Sequence, residues 1–167
     1  HWSNHDGAPT WVVEKTKPRH AYPWPFKKDE GDSPEAVGQA FQDIYDDAHG
    51  GRTAWASAWK IFAERFRDHP GVVGYELMNE PFAGDVWKDP LLWDPAYAGK
   101  HNLQPAFDVV AAAIREVDQE TTIMYEPVTW GMIFDTSKHW YSLGSGFEHA
   151  PGGANRSAFV RIFLLDF

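Results

Sequence analysis

Apolar residues recur along this chain at two alternating periods. Val37, Phe41, Ile44, Tyr45 and Ala48 follow one another at helical steps, which places them on one face of a helix over Glu35 to Ala48. Pro34 suits its first turn and Gly50-Gly51 ends it. Trp55, Trp59, Phe62 and Phe66 predict a second helix, with Thr53 as its cap and His69-Pro70-Gly71 as its stop. VVGYELM, residues 72–78, is short and apolar between turn signals, a strand buried on both faces except where Glu76 interrupts it. Leu103, Phe107, Val110, Ile114 and Val117 predict a helix over Leu103 to Asp118, and TTIMYEP, residues 121–127, reads as the next strand. Helix, strand, loop, helix, strand implies parallel strands joined by right-handed crossovers, so the class is α/β. His1 to Ser33, rich in Pro, Gly and charge, predicts a long loop laid over that scaffold.

Composition narrows the function classes. The chain has 167 residues, 43% hydrophobic and 23% charged, enough for one core, so it is one domain or part of one. A formal net charge of -9 opposes phosphate neutralisation, so nucleic acid is not an expected partner. No apolar run reaches the roughly 20 residues of a membrane span, and His1 opens no signal sequence; a soluble chain is expected. The absence of cysteine removes disulfides, thiolate metal sites and cysteine nucleophiles. Asn155-Arg156-Ser157 is a glycosylation acceptor sequence and points to a secretory lumen.

Aromatic residues reach 16%, with nine Trp and eleven Phe. Tyr22 to Phe26 and Trp87 to Trp93 lie in irregular, Pro-containing stretches, where rings either pack on the body or face a ligand. The histidines form no HExxH or other metal cluster, and KKDEGDSPE lacks the spacing of a calcium loop. Gly-rich phosphate loops and a Gly-x-Ser-x-Gly elbow are absent, so no metal or cofactor is expected.

Chemistry concentrates in GYELMNEPFAGD, residues 74–85. Pro81 cannot donate a ladder hydrogen bond and Gly84 frees the backbone, so the strand ends near Asn79 and Glu80 stands at its carboxyl end. Glu126 holds the equivalent place after the next strand. Ligands of parallel α/β folds collect at that edge. Two carboxylates there are what glycoside hydrolysis needs, one to protonate the leaving oxygen and one to attack the anomeric carbon or activate water. Spacing alone nominates Glu80 with Glu126; the alternative is that each merely ties down a loop amide or pairs with an arginine. Asn79 favours chemistry at Glu80, because an amide beside the acid can bind a sugar hydroxyl.

YELMNEPFAGD resembles the fourth-strand signature of glycoside hydrolase family five, in clan A, and particularly its endoglycoceramidase branch. GAPTWVV (7–13), KPRHAYPWPF (17–26), AFQDIYD (40–46), KDPLLW (88–93) and YEPVTW (125–130) are similar to that branch too. The resemblance runs over residues 7–157; residues 1–6 read as a truncated start, and 158–167, in AFVRIFLLDF, lack it. It implies a TIM (β/α)8 barrel, which typically takes about 250 residues, present here as a middle slice around strands four and five. It also implies retaining cleavage of the oligosaccharide–ceramide bond, with Glu80 as acid/base and Asn79 on the adjoining sugar. The family's nucleophile follows strand seven, which sets aside Glu126 in that role and places it outside the chain. Glu126 then becomes a polar wall of the cleft and Trp130 a sugar or lipid platform.

The expectation is therefore a retaining O-glycosidase acting on glycosphingolipids, reaching lipid at a membrane surface, secreted or lumenal, and incomplete as a chain. A noncatalytic sugar- or glycolipid-binding remnant and a cellulase-like endo-β-glycanase of the same clan are the alternatives. An acid in the Glu80 role needs a raised pKa to stay protonated near working pH.

Overall fold

The computed structural model describes residues 34–129 and 146–160. The predicted loop over 1–33, Trp130 and the end of the chain lie outside them. Helix α1 (Pro34–Tyr45) and helix α2 (Gly51–Phe66) are joined through a tight turn at Ala48–Gly50. Strand β1 (Gly74–Glu76) follows, then a short turn of helix at Pro90–Trp93. Helix α3 (Pro95–Ala98), one wide π turn (Gly99–Leu103) and helix α4 (Gln104–Arg115) run on without a break. Strands β2 (Thr122–Tyr125) and β3 (Ser157–Phe159) complete a three-stranded parallel sheet in the order β1-β2-β3.

The helical faces largely follow the apolar periods. Leu103, Phe107, Val110 and Ile114 are all fully buried. On α2 the aromatic stripe rides partly outward: Ala56 and Ala63 are buried, whereas Phe62 is 54% exposed. Trp55 meets Phe107 edge-on at 5.9 Å and Trp59 meets Tyr75 at 5.8 Å, so this stripe joins α2 to α4 and to the sheet. Gly51 starts α2 rather than ending α1, and Thr53 is not its cap. Asp47 serves the amino end of α2 instead, its carboxylate accepting the Thr53 amide at 2.8 Å and the Thr53 hydroxyl at 2.6 Å. A carboxylate at the positive end of a helix is favoured for the same reason a cap is.

Strand β1 is not buried on both faces. Tyr75 and Leu77 pack under the helices, whereas Glu76 on the other side is exposed and Gly74 and Met78 are half-buried. β1 pairs with β2 through Gly74–Thr122, Tyr75–Ile123 and Glu76–Met124, and the Leu77 amide extends the ladder to the Met124 carbonyl at 2.9 Å. β2 pairs with β3 through Ile123–Ser157, Met124–Ala158 and Tyr125–Phe159. A third strand therefore begins where the sequence ceases to resemble the family. Arg115 holds the amino ends together, donating to the carbonyls of Asp118, Thr121, Gly152 and Arg156 at 2.8 to 3.1 Å.

Candidate active site

Asn79 and Glu80 follow β1 after Leu77 and Met78, and Glu126 comes directly after β2, so the sheet brings them to one carboxyl edge. Asn79 and Glu80 are exposed. Glu80 has φ of 47°, a left-handed conformation that costs a non-glycine residue energy and is found where tertiary structure imposes it. Its amide donates to Glu126 Oε2 at 2.8 Å.

Glu126, expected as a wall of the cleft, is itself turned inward and only 3% exposed. Burial, with the Glu76 and Glu80 carboxylates beside it, raises its pKa to about 7 against the opposing pull of the Glu80 amide. A nucleophile must touch the anomeric carbon, and this carboxylate is covered, with one oxygen bound by a backbone amide. The structure thus brings Glu80 and Glu126 together in a supporting arrangement.

The loop after Glu80 is fixed by contacts that sequence reasoning did not foresee, two of them from Gln42 and Asn102, which it did not name. Pro81 is fully buried, and its carbonyl accepts the Thr129 amide at 3.1 Å, tying this loop to the one after β2. The Tyr45 hydroxyl donates to the Phe82 carbonyl at 2.6 Å, and burial raises its pKa above the ordinary value. Gln42 and Asn102 form a reciprocal amide pair at 2.9 and 3.1 Å, and Asn102 also donates to the Ala83 carbonyl at 2.7 Å. Gly84 lies against this pair with φ of +117°; an added Cβ would fall 2.4 Å from Gln42 Oε1. The available signal was a Gln and a Tyr beside the apolar face of α1, inside AFQDIYD; their partners are 37 or more residues away.

The KDPLLW segment is also built rather than loose. Asp89 caps its helical turn and Asp94 caps α3, accepting the Leu91 and Ala96 amides at 3.1 and 2.9 Å. Trp87, Leu91 and Trp93 stand 39%, 61% and 54% exposed on it. Among the described residues no group of His, Asp or Glu side chains is arranged to hold a metal.

Barrel and open α/β enzymes both build their sites at the carboxyl edge of a parallel sheet, and comparison with known proteins makes the class specific. The model of the cellulase family, glycosyl hydrolase family 5, matches residues 20–156, and the chain belongs to that family. It is 39% identical over 168 residues to an endoglycoceramidase of Hydra vulgaris, covering 89% of this chain and 31% of the relative. To an endoglycoceramidase of Cyanea nozakii it is 44% identical over 119 residues, covering 71% of this chain and 22% of the relative. Among solved structures it resembles endo-glycoceramidase II from Rhodococcus sp. in a ganglioside GM3 complex, with 27% identity and a TM-score of 0.60, over 92% of this chain and 32% of that one. The chain thus spans a third or less of the proteins it matches. The family and this likeness make the fold class that of the TIM barrel; the helices and small parallel sheet are consistent with part of one.

Proposed function

We propose that these residues are the acid/base-bearing part, strands four to six, of a retaining glycosidase that cleaves the oligosaccharide–ceramide bond of glycosphingolipids. The observation that carries this reading is Glu80, exposed at the strand edge in a left-handed conformation with its amide seated on a buried carboxylate. A general acid must be held within hydrogen-bond reach of the leaving oxygen, and a backbone locked on both sides of the residue does that. Asn79 binds the sugar next to the bond, Glu126 lines the floor, and Trp130 flanks substrate. Family membership supports the reaction type, and the relatives' names support glycolipid over glucan. The acceptor sequence Asn155-Arg156-Ser157, with Asn155 exposed, is open to glycosylation if the protein enters a secretory lumen.

The test is hydrolysis of a fluorescent glycosphingolipid by a protein of the relatives' length containing residues 1–167. Release of intact oligosaccharide and ceramide, with retained anomeric configuration, is expected. Cleavage of soluble β-glucan without cleavage of glycolipid would replace this reading with the endoglucanase one.

A further inference from the structure

Glu76 pairs in register with Met124, two residues before Glu126, so Glu76, Met124 and Glu126 lie on one side of the sheet, away from the helices. Glu126 spends one oxygen on the Glu80 amide. Its other oxygen, Oε1, is buried and has no hydrogen-bond donor among the described residues. Among the described residues, the charged groups that bear on it are both carboxylates, with no cation beside them: the Glu76 side chain, within hydrogen-bonding reach from β1, and Glu80 from the loop above. Two ionised carboxylates cannot bond to each other, and a buried acceptor left bare is costly. One proton between them turns repulsion into an O–H···O⁻ bond and satisfies Oε1.

We propose that Glu76 and Glu126 share a single proton, and that this carboxyl pair is the seat that holds Glu80 in its left-handed conformation. Glu80 is the catalytic residue; Glu76 and Glu126 are positioning residues. The proposal rests on the acid/base reading of Glu80 for its kinetic consequence, but the shared proton stands on the geometry of Glu76 and Glu126 alone. The raised pKa of Glu126 agrees with it, because the pair keeps its proton in acid solution and loses it as pH rises through neutrality.

Glutamine distinguishes this seat from simple packing. In Glu76→Gln an amide N–H replaces the shared proton and donates to Glu126 Oε1. In Glu126→Gln the carbonyl still accepts the Glu80 amide while the NH2 group donates to Glu76. Glu126→Ala removes the acceptor and lets Glu80 relax. In a full-length protein containing these residues, infrared titration should show a buried protonated carboxyl that persists to about neutrality. Its band should vanish in both Gln variants. Glu126→Ala should lower kcat by about 10- to 100-fold with KM little changed and without rescue by azide. Glu126→Gln should recover most of that loss and remove the contribution of the pair to the pH profile.

Survival of the protonated carboxyl band in Glu76→Gln would overturn the proposal, and so would a Glu126→Gln variant as slow as Glu126→Ala. Should Glu126→Ala fail to fold, the two Gln variants and their infrared bands decide the matter. Azide rescue of Glu80→Ala is the separate arm for the acid/base reading. Its failure would remove Glu80 from catalysis while leaving the band intact.

Discussion

The two faces of β1 and β2 are built from the same few residues and solve opposite problems. Toward the helices stand Tyr75, Leu77, Ile123 and Tyr125, all buried in one continuous core. The charge on that side is fully satisfied: Asp118 is 3% exposed, and its carboxylate accepts the Tyr75 hydroxyl and the Glu120 and Thr121 amides, each at 2.9 Å. Burial alone would raise its pKa, yet the bonds from Thr121, Glu120 and Tyr75 win and hold it below the ordinary value. On the other face Glu126 is equally buried with a single donor among the described residues, and its pKa moves the other way, to about 7. Two buried carboxylates on one sheet thus diverge because one is given donors and the other is given carboxylates. The first closes a turn; the second sits beneath the Glu80 amide at the carboxyl edge of the sheet.

The sharpest way to break the comparison is at Glu80, the product of the second face. Glu80→Ala in a full-length protein should lower turnover of unactivated glycolipid by about 10² to 10⁴-fold, and azide should restore much of the rate on an aryl glycoside with a good leaving group. If azide instead rescued Glu126→Ala, the roles of the two glutamates would be reversed. On the helix-facing side, Phe107→Ala should cost about 3 to 5 kcal/mol in urea unfolding, because Phe107 is fully buried between Trp55 and Phe147 and leaves a cavity. A loss below about 1 kcal/mol would mean the core collapses around the gap.

Asp118→Ala should cost about 1 to 3 kcal/mol by stranding the Tyr75 hydroxyl and two amides. The two carboxylates should also leave opposite marks on stability against pH. Asp118, with its folded pKa lowered, stabilises above its unfolded pKa of about 3.8, and that contribution is lost as pH falls through its lower folded value. Glu126, with its folded pKa raised, binds its proton more tightly folded than unfolded, so stability should fall as pH rises from 4.5 to about 7. Glu126→Gln should flatten the second limb and leave the first; thermal melts across this range decide it. The smallest effect belongs to the exposed Lys60–Glu116 pair, which joins α2 to the end of α4 in water. Glu116→Gln should leave the melting temperature where it was.

The sequence alone determined the α/β alternation, the buried face of α4 and the two neighbouring strands whose following loops carry Asn79-Glu80 and Glu126, although β1 itself already ends at Glu76. These are consequences of local periodicity and of backbone rules obeyed by Pro and Gly, and they act over a few residues. It misassigned the cap of α2, because Asp47 reaches Thr53 across a bend that apolar spacing does not register. The clamp of Gln42, Tyr45 and Asn102 on the Glu80 loop, the left-handed turn at Glu80 and the inward fate of Glu126 were decided by tertiary structure. Glu126 and Glu80 are 46 residues apart in the chain. Only parallel pairing of β1 with β2 sets the Glu126 carboxylate beneath the Glu80 amide, and only the burial of Glu126 makes a proton there worth holding.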